Sequence, residues 1–159
     1  MPDPAPDRPE PLEFLRLLWS LDHALQATSK RMLARYGVTG PQRSAVRFVG
    51  RTPGITAGAL AEALQHHPST TTGILRRLVD HGLVHREVHP TDRRKAVLTL
   101  TAAGRRLEAT TAGTVEAGVL RAFDRLGEDE VRVARRVLDV LLASIVEERD
   151  GGGAPSGRG

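Results

Sequence analysis

The sequence predicts a mainly α-helical chain that carries one small β-hairpin. Apolar residues recur at three- and four-residue steps through most of the chain, which is the period of an amphipathic helix. Two short helical segments are separated by a break at 65–68. Two β-favouring runs, 82–88 and 97–100, follow them and are joined by a charged tip, DRRK, at 92–95.

Length and composition fit one globular core of ordinary size. The chain has 159 residues, of which 40% are hydrophobic, 26% charged and only 3% aromatic, so Leu, Val, Ala and Ile must fill the core. No apolar run approaches the roughly 18 residues that span a membrane, and the Pro-rich, acidic N-terminus lacks the apolar region of a signal peptide. Cysteine is absent, which excludes disulfides and thiol redox switches. A cytoplasmic location is the default expectation.

The N-terminal part is predicted to consist of a tail and two helices. Pro- and Gly-rich composition predicts flexible tails at 1–11 and 150–159. Periodic apolar residues predict an N-terminal helix over 12–37, with Gly37 as its C-terminal stop. A second helix is expected over about 41–49, with proline in its first turn.

Two short helices separated by a tight turn come next. Thr56 is placed to cap the first, which ends near Leu64, and the second runs from Ser69 to about His81. The turn between them has the length found in a helix-turn-helix motif. Because the hairpin follows directly, residues 38–106 are predicted to form a winged helix-turn-helix lobe.

The helices at both ends carry wider apolar faces than a small core needs. The last helix, about 128–148, opens with three acids that suit a helix N-terminus and carries two adjacent apolar stripes. The first helix adds Leu17 and Trp19 beyond its main stripe. Such faces predict an intertwined homodimer, with 12–37 and 107–149 as dimerisation helices. A thick monomeric helical core is the alternative.

The second short helix is the candidate for entering the major groove of double-stranded DNA. A helical wheel turns Thr71, Leu75 and Leu78 towards the core. Small hydroxyl side chains near its start suit contacts to base edges, and arginine can reach guanine or a phosphate. Ser69 and Thr70 are also candidate helix caps. The residues predicted to contact DNA on this motif are Thr56, Pro68, Ser69, Thr70, Thr72, Gly73, Arg76 and Arg77.

The hairpin supplies a second candidate contact with DNA. Between positions 76 and 95 six basic residues stand against three acids, an excess that suits a polyanion. An arginine at a wing tip can enter the electronegative minor groove, and Asp92 can hold Arg94 through a charge-assisted hydrogen bond. A solvated charged turn is the alternative interpretation. The predicted contacts of the wing are Arg86, Asp92, Arg93, Arg94 and Lys95.

With these motifs the chain resembles the MarR family of transcriptional regulators over nearly the whole span 12–148. The resemblance rests on TGPQxxA (39–45), GIT (54–56), LAEAL (60–64), GLV (82–84) and, most specifically, PTDRRxxxLTLTxxG (90–104). It implies a homodimer whose first and last helices interlock and which binds a pseudo-palindromic, inverted-repeat operator. It also implies that Arg94, matched with Asp92, enters the minor groove. The expected function is a repressor that a small-molecule ligand releases from DNA.

The resemblance also has departures and an implied effector. Gly73 stands where many members carry a basic or polar side chain, Arg76 stands where an acid is common, and the turn 65–68 differs from the usual pattern. Many members release DNA when a small aromatic or anionic effector binds. The candidate pocket residues are Trp19 and His23, with Arg43 or Arg47. A core tryptophan beside a solvated histidine is the alternative.

Metal binding and catalysis are not predicted. Imidazole suits Zn²⁺, but adjacent residues rarely ligate one ion, and no acid completes a set with His66, His67, His85 and His89. For His66 or His67 we expect a turn cap or a phosphate contact. No nucleophile–base pair, phosphate loop or HExxH motif occurs, so neither an enzyme nor a cofactor is expected. The alternative to a repressor is a winged-helix protein-interaction module or a non-specific DNA-binding protein, and the arginines on both helix and wing favour the repressor.

Overall fold

The computed structural model describes residues 10–92 and 94–151, without the side chains of 150 and 151. The chain divides into two compact units, with the boundary between Ala117 and Gly118. In chain order, the elements of the described ranges are α1 Pro11–Tyr36, α2 Gly40–Arg51, β1 Ile55–Thr56, α3 Ala57–Leu64, α4 Pro68–Asp80, β2 Val84–Val88, β3 Ala96–Leu100, α5 Ala102–Ala109, α6 Val115–Phe123 and α7 Glu128–Gly151.

The predicted fold class, mainly α with a small β-hairpin wing, is confirmed. The tails predicted at 1–11 and 150–159 lie almost wholly outside the described residues, but their inner limits shift. Helix α1 already begins at Pro11, where a proline costs little because the first helical N–H groups have no partner within the helix. Helix α7 continues through Gly151.

Local signals fix the first two helices. Gly37 ends α1 in the left-handed conformation (φ 71°), and its N–H donates to the Leu33 carbonyl oxygen. Thr39 and Gln42 form a reciprocal capping box at the start of α2. The amide of Gly40 donates to the Ser29 hydroxyl at 2.8 Å, which ties the start of α2 to α1.

The helix-turn-helix forms as predicted, but the cap of its second helix differs. Thr56 caps α3, and its hydroxyl oxygen accepts from the Ala59 amide at 3.2 Å. Helix α4 is capped by His67, whose Nδ1 accepts from the amide of Ser69 at 3.3 Å. The expectation that Ser69 or Thr70 is the cap is therefore wrong. Pro68 fits the first helical position, because its missing N–H would be unpaired there, so the cap must precede it.

The hairpin is part of a three-stranded antiparallel sheet of order β1-β3-β2. Strand β1 pairs Ile55 with Leu98, and β2 pairs Val84 with Leu100. The sequence did not predict β1, because a two-residue strand is too short to show an alternating pattern. Buried apolar side chains form one core, to which α2, α3, α4, β2, β3 and α5 contribute.

Close packing of backbone joins α5 to the end of α4. Thr101 caps α5 by accepting from the Gly104 amide at 2.9 Å, and its hydroxyl donates to the Gly82 carbonyl oxygen at 2.7 Å. A Cβ atom at Gly104 would lie 2.1 Å from the carbonyl oxygen of Leu83. Only glycine permits this approach, which gives a physical reason for the final glycine of the LTLTxxG motif.

The second unit contains most of α6 and all of α7 and leaves many apolar side chains exposed. On α7 the exposed fraction is 61% for Val133, 50% for Leu138 and 56% for Ile145. In the first unit, α1 buries only Met32 and exposes Leu17 and Trp19. Among the helices of the described ranges, none is both long and apolar enough to cross a membrane.

Candidate DNA-binding interface

Helix α4 buries one face in the core and exposes the other. Thr71, Ile74, Leu75 and Leu78 are buried, as the helical wheel predicted for three of them. The predicted contact residues Ser69, Thr70, Thr72, Gly73, Arg76 and Arg77 are all exposed. The outer face of α4 therefore presents small polar groups over its first turns and two arginines after them.

Several of these outward groups have partners within α4. The Ser69 hydroxyl lies 2.8 Å from Nδ1 of His67, and the Thr72 hydroxyl donates to the Pro68 carbonyl oxygen at 2.9 Å. Arg76 faces Asp80 at 4.0 Å. A Cβ atom at Gly73 would meet nothing within 4 Å, so this position leaves a gap in the outer face. Thr70 and Arg77 complete that face as exposed side chains.

The wing tip is a compact charged turn with an arginine at its surface. The Asp92 carboxylate accepts from the Arg94 amide at 3.1 Å and lies 3.5 Å from Nε of the same residue. It also lies 3.6 Å from Nζ of Lys95. The Arg94 side chain is nevertheless 94% exposed. The predicted contact between the acid and the arginine two positions later is thus present, and it orients Arg94 without covering it.

The electrostatics of the tip keep Asp92 ionised. Its pKa lies below the ordinary 3.8, chiefly because the Arg94 backbone N–H donates to the carboxylate, and the positive charge of Lys95 adds to the effect. Partial desolvation acts in the opposite direction and is outweighed. Asp92 is therefore ionised at neutral pH, where its carboxylate can pair with Arg94.

The remaining predicted DNA contacts are distributed over three elements. Thr56 ends β1 and caps α3, and its hydroxyl is occupied by the Ala59 amide. Pro68 opens α4 and is exposed, as is Arg86 on β2. Arg93 lies outside the described residues.

The structure does not gather the predicted effector residues into a pocket. Trp19 is 65% exposed and His23 is exposed on α1. The guanidinium of Arg43 is buried and donates to the carbonyl oxygens of Leu107, Glu108 and Thr110. A fourth contact joins its Nε to Glu116, and all these partners lie more than 60 positions away. Sequence reasoning gave no signal for this burial.

A different group of residues lines a cavity of about 630 Å³ in the first unit. Helix α1 contributes Asp22, Gln26 and Lys30, and α2 contributes Phe48. The turn between α3 and α4 contributes His66. Nδ1 of His66 is buried and has no hydrogen-bond partner among the described residues. Neither Trp19, His23, Arg43 nor Arg47 lines this cavity.

One histidine of the turn and one of the hairpin act as hydrogen-bond acceptors. His67 caps α4, the role expected for His66 or His67, and His89 accepts from amides of the wing tip. His85 is exposed on β2. The described ranges contain no group of three or more His, Asp or Glu side chains arranged to hold a metal ion.

A helix-turn-helix with an exposed second helix, followed by a cationic hairpin, defines the winged helix-turn-helix class. The family model described as the MarR family matches residues 36–95, from the end of α1 to the wing tip. The HTH-type transcriptional repressor Rv2887 of Mycobacterium tuberculosis is 30% identical over 125 residues, covering 79% of this chain and 90% of that protein. The chain belongs to the MarR family and is a transcriptional regulator of that family, which confirms the resemblance seen in the sequence.

Solved structures show the same fold. The crystal structure of the Staphylococcus aureus MepR–DNA complex has a TM-score of 0.69 at 22% identity, covering 83% of this chain and 97% of that one. The crystal structure of MarR has a TM-score of 0.59 at 26% identity, covering 87% of this chain and 99% of that one.

Proposed function

We propose that the protein is a homodimeric repressor that binds a pseudo-palindromic operator through α4 and the wing and is released from it by a small effector. The wing tip is the observation that carries this proposal. Arg94 is 94% exposed and held by Asp92, so its guanidinium is oriented before binding and loses little freedom on entering a narrow minor groove.

Helix α4 supplies the proposed major-groove contact. Its first turn carries the positive end of the helix dipole, which favours a phosphate. Pro68 has no N–H there, and the Ser69 amide already donates to His67. Exposed Thr70 can contact a base edge or a thymine methyl group, and exposed Arg77 can reach guanine or a phosphate. Gly73 adds no side chain, so we infer that direct base reading is concentrated on few positions.

Two exposed apolar surfaces support the homodimer. On α7 one surface includes Val133, Val137 and Val140, and on α1 the other includes Leu17, Leu21 and Leu25, each set spaced three or four residues apart. Soluble monomers rarely leave such contiguous apolar faces in water. A twofold dimer repeats α4 and the wing, so half-sites about 10 base pairs apart, or a multiple of that, are expected in an inverted repeat. Sedimentation equilibrium at micromolar concentration should give twice the chain mass, and a monomer there would refute the dimer.

The DNA-binding proposal is tested by Arg94→Ala on an operator selected from random duplexes. Fluorescence anisotropy should show affinity about 5- to 150-fold weaker, equivalent to about 1–3 kcal/mol. Arg132→Ala is the matched control, because it removes the same charge from the surface of α7, where Arg132 pairs with Asp129 at 2.9 Å. Unchanged affinity for Arg94→Ala, or equal losses in both variants, would remove the wing from the mechanism.

Specificity separates the repressor from its alternative. A repressor prefers the selected duplex over a scrambled one, and its affinity falls steeply with salt. Equal binding to both duplexes would favour a non-specific DNA-binding protein, and no binding to either would favour a protein-interaction module.

We propose the 630 Å³ cavity as the place where a small aromatic or anionic effector binds. Phe48 offers an apolar wall, Lys30 a positive charge, and His66 an imidazole ring from the turn of the helix-turn-helix. Since α1 and the helix-turn-helix turn both line it, an occupant can couple the N-terminal helix to α4. His66→Leu should abolish release of DNA by an effector found in a screen of aromatic carboxylates. Loss of release in Trp19→Ala but not in His66→Leu would place the effector at the residues predicted from sequence.

A further inference from the structure

We propose that the imidazole of His89 is the positioning element of the wing, because it closes the turn that holds Asp92 and, through Asp92, Arg94. The inference rests on the proposed function only in that the wing contacts DNA. His89 precedes the conspicuous DRRK stretch and was considered from the sequence only as a metal ligand.

The geometry around His89 closes the turn at the tip of the wing. The amides of Thr91 and Asp92 both donate to its Nδ1, each at 3.3 Å, and the Thr91 hydroxyl lies 3.2 Å away. Nδ1 accepts from these amides through its lone pair. Pro90, between His89 and Thr91, has no N–H to offer. The side chain thus closes the turn as an Asn or Asp side chain does in an Asx turn.

The position of Arg94 depends on this turn. The amide of His89 donates to the Lys95 carbonyl oxygen at 3.0 Å, and the amide of Lys95 donates to the Asp92 carbonyl oxygen at 2.9 Å. With its backbone fixed from both sides, Asp92 directs its carboxylate to the amide and Nε of Arg94. His89 therefore acts on Arg94 through Asp92.

Two substitutions test whether the acceptor at position 89 positions the tip. His89→Asn keeps an oxygen acceptor that can close the same turn as an Asx turn, whereas His89→Leu removes the acceptor. In NMR spectra of the free protein at a fixed neutral pH, the amides of Thr91, Asp92 and Arg94 should keep their protection from exchange in His89→Asn and lose it in His89→Leu. Unchanged protection in His89→Leu, or equal loss in both variants, would overturn the inference.

Operator binding at the same pH and constant ionic strength gives the functional readout. We expect His89→Leu to bind about three- to tenfold more weakly than wild type, and His89→Asn to bind like wild type. Equal affinities of His89→Leu and wild type would refute the positioning of Arg94 by His89.

The two proposals fail in different ways. If no variant binds DNA but the wing amides lose protection only in His89→Leu, the DNA-binding function is wrong and the positioning role stands. If DNA binding is specific and His89→Leu binds like wild type, the positioning role is wrong and the repressor function stands.

Discussion

Replacement of Arg43 by methionine tests whether this buried cation holds α2, α5 and α6 together. Its side chain is 1% exposed. It donates to the carbonyl oxygens of Leu107, Glu108 and Thr110, which lie at and beyond the C-terminal turn of α5, and its Nε lies 3.2 Å from Glu116 on α6. The last carbonyls of a helix lack the amides that would pair with them further along the helix, although the Thr110 amide also donates to the Leu107 oxygen at 3.1 Å. The positive charge of Arg43 also suits the negative end of the α5 dipole.

The structure sets the size of the effect. Methionine fills most of the volume of the arginine stem, so little cavity is created. The substitution removes the guanidinium from three carbonyls and one carboxylate oxygen, of which the Leu107 and Glu108 carbonyls keep the Thr110 amide and Arg47 as donors. Breaking a buried ionic group of this kind costs about 3–5 kcal/mol. The Glu116 side chain is 33% exposed and water can solvate part of it, so we expect the lower end, about 3 kcal/mol. For a chain of this length that corresponds to a fall in Tm of about 6–12 °C.

The assay is urea unfolding at a fixed protein concentration, with thermal melts alongside. Arg47→Met is the matched control. It lies one helical turn further along α2, and its side chain is 33% exposed. Its guanidinium lies 4.0 Å from the Glu108 carboxylate and donates to the Glu108 carbonyl oxygen at 3.4 Å. Removal of such a pair should cost less than about 1 kcal/mol. A loss below 1 kcal/mol for Arg43→Met, or equal losses in the two variants, would refute the structural role of Arg43 and leave it available to an effector.

Three further predictions follow from single contacts. Gly104→Ala should lower the free energy of unfolding by about 1–3 kcal/mol, because the new Cβ would lie 2.1 Å from the Leu83 carbonyl oxygen. Gly58→Ala on α3 is the control: it has open space around it and should raise the free energy of unfolding by about 0.5–1 kcal/mol. A gain in both variants would contradict the close packing at Gly104. Thr71→Val should raise the free energy of unfolding by about 1 kcal/mol, since the Thr71 hydroxyl is buried without a partner among the described residues. A lower free energy of unfolding in the same urea assay would show that the hydroxyl is hydrogen-bonded. The carboxyl of Asp92 should titrate by NMR with a midpoint below 3.8, because the Arg94 amide and then Lys95 favour the carboxylate. Its contribution to wing order is therefore present at neutral pH and lost only as the pH falls through that lowered pKa, and a midpoint at or above 3.8 would contradict the contact.

Much of the fold follows from signals that act over a few residues. Gly37 ends α1, and Thr39, Thr56 and Thr101 cap the helices that follow them, because a cap is decided by the side chain and the next three amides. The cap of α4 was assigned two or three residues too late, since Pro68 displaces it to His67. Strand β1 escaped prediction because its existence depends on β3, more than 40 positions away.

Arg43 and Arg94 show why the wing could be predicted from the sequence and the effector site could not. Both arginines contact a carboxylate, yet one side chain is 1% exposed and the other 94%. The partner of Arg94 stands two residues before it, so the contact is visible in the DRR motif and leaves the guanidinium facing solvent. The partners of Arg43 lie more than 60 residues away, and folding brings them around it from α5 and α6. The buried guanidinium of Arg43 is surrounded by its partners and is unavailable to a ligand. The guanidinium of Arg94 contacts a neighbouring carboxylate and is still exposed to solvent, and binding to a DNA groove requires an exposed side chain of this kind.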